Sequence, residues 1–275
     1  MGRLKSSAPI KWHGGKSYLA PKIIDLIPPH THYVEPYFGG GAVFFNKPIE
    51  FIEGHSEVVN DIYGDLVNFW QVLQSETLFP EFQFRLSLTP FSKPTFENAL
   101  AADAQQPLDR AVDFFVRFRQ SRQGLGRDFA TMSRSRTRRG MNEQVSSWLS
   151  AIDGLADAHA RLQRVVIFCE DAVQLVRRED DKHSFFYCDP PYLSETRVVK
   201  KAYSCEMSDE QHENLLDTLG NLQGKFILSG YPHPIYKAAA TRFGWNCREI
   251  KIDNKASPLK TKPTKTECLW YNYSN

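Results

Sequence analysis

At 275 residues, with 41% hydrophobic and 24% charged side chains, the chain suits one large domain, or one domain carrying a sizeable insertion. Five cysteines, odd in number and without a Cys-x-x-Cys pair, argue against a disulfide framework or a zinc site and for a reducing compartment. The formal net charge of +2 does not by itself suggest a polyanionic partner. Met1 to Lys16 lacks a signal-type apolar stretch, and no 18-residue apolar run occurs, so a soluble, cytoplasmic protein is expected.

Along the chain, Ser17 to Ile27 has helix character and is closed by Pro28-Pro29. His32 to Glu35 is a short strand running into Gly39-Gly40-Gly41, after which Ala42 to Asn46 opens a second helix. Glu57 to Ile62 is a second strand. Asp65 to Gln74 places Leu66, Phe69, Trp70 and Leu73 on one helical face. This alternation begins a parallel α/β sheet. From about Ser75 to Arg161 it breaks into helical stretches, Phe96–Ala102, Leu108–Phe118 and Glu143–Leu162, with a polar, arginine-rich segment before the last. Alternation then resumes with strand Val165–Cys169, helix Ala172–Arg178, strand Phe185–Cys188, helix Ser208–Leu219, strand Phe226–Ser229 and helix Pro232–Phe243. Trp245–Ile252 and Cys268–Tyr273 read as a closing pair of strands. The expected organisation is a catalytic domain formed by 1–74 and 162–275, with a mostly helical domain, 75–161, inserted.

Charge is unevenly placed. Between Arg110 and Arg139 there are nine arginines, no lysine and two acids, a local balance of +7. Such a stretch reads as a confined anion-binding face. Arginine reads phosphates and guanine edges in bidentate fashion, and interleaved Ser, Thr, Gln and Asn contact bases or backbone. A solvated, salt-bridged face is the ordinary alternative, weakened here by the shortage of neighbouring acids.

Three further segments carry chemistry. Glu35-Pro-Tyr-Phe-Gly39-Gly-Gly41 follows a strand and precedes a helix, where doubly wound sheets bind nucleotide-like cofactors. Asp61 ends the next strand, 20 residues after Gly41, as a ribose-binding carboxylate does. A structural glycine turn with a helix-capping aspartate is equally compatible. Gly14-Gly15-Lys16-Ser17 resembles the end of a phosphate-binding loop, but Ile10 stands where that pattern requires glycine, which excludes it. The most specific segment is Phe185-Phe-Tyr-Cys188-Asp189-Pro190-Pro191-Tyr192. An apolar strand delivers an acid to its end, two prolines stiffen the backbone, and the first leaves its carbonyl as an acceptor. A carboxylate beside a rigid carbonyl suits a planar amino group with two N–H donors, and Tyr192 offers a face on which to stack a base, worth about 1–3 kcal/mol.

Together these segments resemble the D12-class DNA adenine-N6 methyltransferases. Lys11-Trp-His-Gly-Gly-Lys16 is similar to the family's N-terminal element, Glu35–Phe44 to its cofactor loop, and Asn60-Asp-Ile62 to its Asn-Asp-Ile-Asn. Ile167-Phe-Cys-Glu-Asp171 resembles the strand-end acid bordering the cofactor adenine, Asp189–Tyr192 its Asp-Pro-Pro-Tyr, and Lys265–Tyr273 its closing strand. All six arrive in the family's order. Tyr37 replaces the usual phenylalanine, Gly40 adds a third consecutive glycine, and Tyr63 stands where asparagine is common.

The resemblance implies an open, Rossmann-like, mainly parallel seven-stranded sheet with an antiparallel strand near one edge and an inserted target-recognition domain. It implies S-adenosylmethionine as cofactor, double-stranded DNA as partner, no metal, and by default a monomer. Catalytic roles fall to Asp189, Pro190 and Tyr192. Cofactor contacts fall to Trp12, Lys16, Glu35, Phe38, Gly39, Gly41, Asp61, Ile62, Asp171 and Asp189. DNA contacts fall to Lys11 and to Arg119, Arg122, Arg127, Arg134, Arg136, Arg138 and Arg139. The readings to be weighed against it are a cytosine-N4 or RNA methyltransferase and a catalytically silent DNA-binding regulator.

Overall fold

Short runs of apolar, β-branched and aromatic sequence form the parallel strands. In the computed structural model, which describes residues 8–48, 53–193, 195, 205–253 and 264–274, they are β1 (His32–Glu35), β2 (Ser56–Asn60), β6 (Ser184–Cys188) and β7 (Lys225–Gly230), and β5 (Val166–Phe168) is a further short strand of the same sheet. β3 (Thr137–Arg138) and β4 (Met141–Asn142) form a separate small hairpin, and β8 (Asn246–Asp253) and β9 (Thr264–Tyr271) close the chain. The large sheet has seven strands in the order β5-β2-β1-β6-β7-β9-β8. β1 runs parallel to β2 and β6, and β6 parallel to β7, whereas β9 is antiparallel to both β7 and β8. All five residues of the central β6 are buried. β8, at the sheet edge, exposes Arg248, Glu249 and Lys251, charges that discourage a further strand from adding there.

The chain divides into two compact units. One comprises 22–38, 54–62 and 170–275, and holds most of the sheet with α9 (Ala172–Arg178), α10 (Asp209–Gly220) and α11 (Pro234–Phe243). Ser208 begins α10 with a capping box that satisfies two orphan N–H groups at once.

The other unit comprises 1–21, 39–53 and 63–169, so it takes in the whole expected insertion. Its helices include α2 (Ala42–Asn46), α3 (Gly64–Gln74), α4 (Phe79–Leu88), α5 (Lys93–Ala101), α6 (Pro107–Gln120), α7 (Glu143–Asp153) and α8 (Leu155–Leu162). α3 buries seven residues, and its Phe69 ring stacks on Phe114 of α6 at 5.6 Å.

Several elements depart from the sequence expectation: β9 begins at Thr264 rather than Cys268, and β2 ends at Asn60 rather than Ile62. The first helix, α1 (Ala20–Ile24), is shorter than Ser17–Ile27, because Pro21 is tolerated only in a first helical turn. The single helix expected over Glu143–Leu162 is two, broken at Gly154. α4 lies outside the expected helices, although Phe79, Phe82 and Leu86 are buried at helical spacing. Among the described residues no helix is long and apolar enough to cross a membrane.

Candidate active site

Parallel strands end on a common edge, and the acids singled out in the sequence follow those ends. In the sheet-bearing unit, Glu35 ends β1 opposite Val59 of β2, and Cys188 ends β6 opposite Leu228 of β7. Asn60, the last residue of β2, is 1% exposed and ties the neighbouring loops together. Its Nδ2 donates to Pro36 O (2.9 Å) and Glu170 O (3.1 Å), its Oδ1 accepts from Glu170 N (3.0 Å), and its carbonyl accepts from Phe38 N (2.8 Å). The backbones flanking Tyr37, Asp61 and Asp171 are therefore stapled by one amide side chain.

The acids occupy different environments. Glu35 is 2% exposed and accepts a 2.6 Å hydrogen bond from Tyr33 Oη. Burial, reinforced by the charge of Glu35, pushes the Tyr33 hydroxyl well above its ordinary range and keeps it a donor. Asp61 is half-buried, and Ile62 beside it is 57% exposed, which leaves an apolar side chain on the surface next to a carboxylate. The cap position of α3 is Tyr63, without a side-chain bond, so Asp61 is not the helix-capping aspartate of the alternative reading. Asp171 does cap a helix, its Oδ1 accepting from Gln174 N at 2.9 Å.

Tyr37 has a half-buried ring and an enclosed hydroxyl with no hydrogen-bond partner among the described residues. Burial pushes that hydroxyl well above its ordinary range, and Cys188, Asp171, Tyr236 and Asp61 add to the shift. An enclosed hydroxyl near two carboxylates, in a loop of cofactor-binding type, fits a ligand carrying polar groups of its own, as an adenosyl group does.

The acceptor motif continues β6. Asp189 is half-buried, Pro190 is buried, and Tyr192 is 5% exposed. Tyr192 Oη donates to Glu267 Oε1, and the Tyr231 ring meets the Tyr192 ring edge-on at 4.8 Å and 76°. Burial and the charge of Asp189 raise Tyr187, Cys188, Tyr192 and Tyr236, so the thiol and phenols around the motif stay neutral.

In the other unit, Gly39 and Gly41 adopt positive φ of 48° and 66°, and Trp12 lies against the turn. A Cβ on Gly40 would come within 2.6 Å of Trp12 Cβ, which accounts for the third consecutive glycine. Trp12 also stacks on Phe118 at 5.0 Å, and Trp70 Nε1 donates to Gly39 O at 3.2 Å. Lys16 is 4% exposed and donates to Gly14 O at 3.0 Å. Lys11 Nζ donates to Gln144 Oε1 at 2.9 Å, and burial, helped by the charge of Arg119, lowers its pKa to about 8.

The arginines separate into two kinds. Arg119 donates to Ser147 O (2.6 Å) and Ser147 Oγ (3.1 Å), and burial lowers its pKa to about 10. It braces α6 against α7. Arg122, Arg127, Arg134, Arg136, Arg138 and Arg139 are exposed. The last two belong to the β3–β4 hairpin, whose turn residues Arg139 and Gly140 both have positive φ, 56° and 74°.

Residues 12–251 match the model of the D12 class N6 adenine-specific DNA methyltransferases. The chain belongs to that family. The family acts on adenine in DNA, and membership of it implies S-adenosylmethionine as cofactor. Among curated relatives, the DNA N-6-adenine-methyltransferase of Escherichia phage P1 is 29% identical over 66% of this chain. The chain spans only 23% of that phage protein. The type II methyltransferase M1.LlaDCHI of Lactococcus lactis subsp. cremoris is 26% identical over 96% of this chain and 95% of its own. The DNA adenine methylase of Escherichia coli K12 is 27% identical, covering 81% and 79% respectively.

For a D12-class DNA methyltransferase, sequence reasoning finds the strand-end acids but misses what holds them. Asn60 has a signal, since it precedes Asp61 in the Asn-Asp-Ile element. Glu267 has a weaker one, as the acid of the closing strand. The Tyr37 hydroxyl registers in the sequence only as a departure from phenylalanine.

Proposed function

We propose that this chain methylates N6 of an adenine extruded from double-stranded DNA, using Asp189 and the Pro190 carbonyl as paired acceptors for the amino hydrogens. The observation that carries this reading is the half-buried Asp189 at the end of a fully buried strand, followed by a backbone that two prolines make rigid. When bound, S-adenosylmethionine would supply an electrophilic methyl group on a sulfonium, the methyl carbon–sulfur bond breaking as the carbon–nitrogen bond forms and the neutral thioether S-adenosylhomocysteine leaving.

The adenine amino nitrogen is a weak nucleophile because its lone pair is delocalised into the ring. Accepting both N–H groups draws the nitrogen toward tetrahedral geometry and frees that lone pair. Asp189 also offsets the positive charge that develops on nitrogen as the methyl bond forms, and takes or relays the proton that must leave. A base inside a duplex cannot reach such a site, so it is flipped out at a cost of about a few kcal/mol. Tyr192 borders the flipped base. Asp61 holds the cofactor ribose with Ile62 beside it, Asp171 the adenine amino group, and Glu35, Phe38 and the Gly39–Gly41 backbone the methionine end. Trp12 and Lys16 are assigned to the cofactor as well, as is Asp189.

The exposed arginines of 75–161 support assigning that segment to target recognition, with Lys11 also directed at DNA. Arg119 serves the same surface as a brace. The reading includes a monomer acting on duplex DNA without a metal, in a bacterial or phage-infected cytoplasm.

Transfer of labelled methyl from S-adenosylmethionine to unmethylated plasmid, with Asp189→Ala alongside, tests the assignment. N6-methyladenine at a fixed motif, lost in the variant, is expected. Methylcytosine as product, or undiminished transfer by the variant, would overturn it.

A further inference from the structure

The Asp189–Tyr192 turn is short, and its position decides where the acceptor carboxylate and carbonyl stand. One end is fixed by β6, whose Cys188 pairs with Leu228 of β7. The other end is fixed by a strand running the opposite way. β9 is antiparallel to β7, with Cys268 opposite Gly230, the last residue of β7, so Glu267 lies at the same edge at which the parallel strands terminate. An antiparallel strand brings a residue of its N-terminal half to the edge where parallel strands bring their C-terminal ends. Glu267 is 1% exposed, and its Oε1 accepts from Tyr192 Oη. A hydrogen bond from a phenol to a buried carboxylate is charge-assisted and directional. Tyr231, the residue after β7, holds the same ring edge-on at 4.8 Å.

We propose that Glu267 is a positioning residue for methyl transfer: by anchoring Tyr192 it clamps the far end of the two-proline turn and so sets Asp189 and the Pro190 carbonyl for the target amine. This rests on the assignment of those two groups as the acceptors. In this role Glu267 acts through Tyr192 Oη. A displacement of the acceptors by about 1 Å costs up to about a hundredfold in rate, so the effect belongs in the transfer step rather than in binding.

The test is a double-mutant cycle on Tyr192→Phe and Glu267→Ala, read by single-turnover methyl transfer at saturating DNA and cofactor, with cofactor affinity and thermal unfolding measured on each protein. Tyr192→Phe removes the same hydrogen bond while leaving Glu267 in place, which guards against a Glu267→Ala chain that fails to fold. Each single variant is expected to lose about tenfold to a hundredfold in rate with cofactor affinity changed by less than about threefold. The double variant should be no slower than the slower single, and Glu267→Gln, which keeps an accepting oxygen, should recover much of the loss.

Rates multiplying independently in the double variant would overturn the clamp. So would unchanged transfer by folded Tyr192→Phe. Asp189→Ala, run in parallel, keeps the two ideas apart. If it abolishes transfer while Tyr192→Phe does nothing, the acceptors stand and the clamp falls. If it leaves transfer intact, the acceptor assignment itself fails.

Discussion

Tyr33 and Glu35 stand two residues apart on β1, and the tyrosine hydroxyl donates to the glutamate carboxylate at 2.6 Å. Alternate residues of a strand share a face, so the pairing is built into the local sequence. Both side chains are buried, at 0% and 2% exposure, and a buried carboxylate is costly without donors. We predict that Tyr33→Phe costs about 1–3 kcal/mol of stability, read by denaturant unfolding. Cofactor affinity should fall as well, because Glu35 is assigned to the methionine end. A variant as stable as the parent, with equal affinity, would remove Tyr33 from the support of the site.

Tyr37 is expected to behave in the opposite way. Its enclosed hydroxyl lacks a hydrogen-bond partner among the described residues, a cost to the cofactor-free protein of about 1–3 kcal/mol. Tyr37→Phe should therefore leave the cofactor-free protein as stable or more stable, while weakening S-adenosylhomocysteine binding in calorimetry. Opposite signs of the two effects are the signature of a group held ready for a ligand. A loss of stability with no loss of affinity would contradict it.

Lys11 gives a pH prediction. Its pKa falls from 10.5 to about 8, first through burial, then through the Arg119 charge, with Glu143 opposing. Between about pH 8 and 10.5 the unfolded chain holds a proton at this lysine that the folded chain has released, so stability attributable to Lys11 rises with pH across that window. Below about pH 8 the folded protein carries the charge at full cost. DNA affinity should run the other way, weakening as pH rises through about 8 and the charge is lost. Filter binding or anisotropy between about pH 7 and 9 should show a steeper decline for the parent than for Lys11→Met. Parallel declines would take Lys11 out of the DNA contact.

What was legible in the sequence was what local patterning determines. His32–Glu35 and Ala42–Asn46 appear in the structure at the ends expected, because each is bounded by glycine, proline or a change of periodicity within a few residues. The acids were legible for the same reason, each ending an apolar run. Their supports were not. Tyr192 meets Glu267 from 75 residues away and Lys11 meets Gln144 from 133, separations at which no periodicity applies. Arg119 shows the limit most plainly: along the chain it looks like its neighbouring arginines, and only the fold turns its guanidinium onto Ser147.

The exposed arginines in and beside the hairpin bear most directly on recognition. Arg136 stands 3.6 Å from Glu143, and Arg139 stands 3.6 Å from Asp153 with a 3.0 Å bond to Ser150 Oγ. Surface pairs of this kind contribute about 0–1 kcal/mol each, so a phosphate displaces them readily. Arg85 differs, lying 2.7 Å from Asp109 and bracing α4 against α6. We predict that Arg136→Ala, Arg138→Ala and Arg139→Ala combined weaken DNA binding and lower the slope of log affinity against log salt by up to about 3, near 0.9 for each phosphate no longer neutralised. Arg85→Ala should cost stability and leave the slope unchanged. If the triple variant keeps its slope while Arg85→Ala alters it, the DNA-facing surface lies elsewhere on this unit and the hairpin arginines are solvated charges.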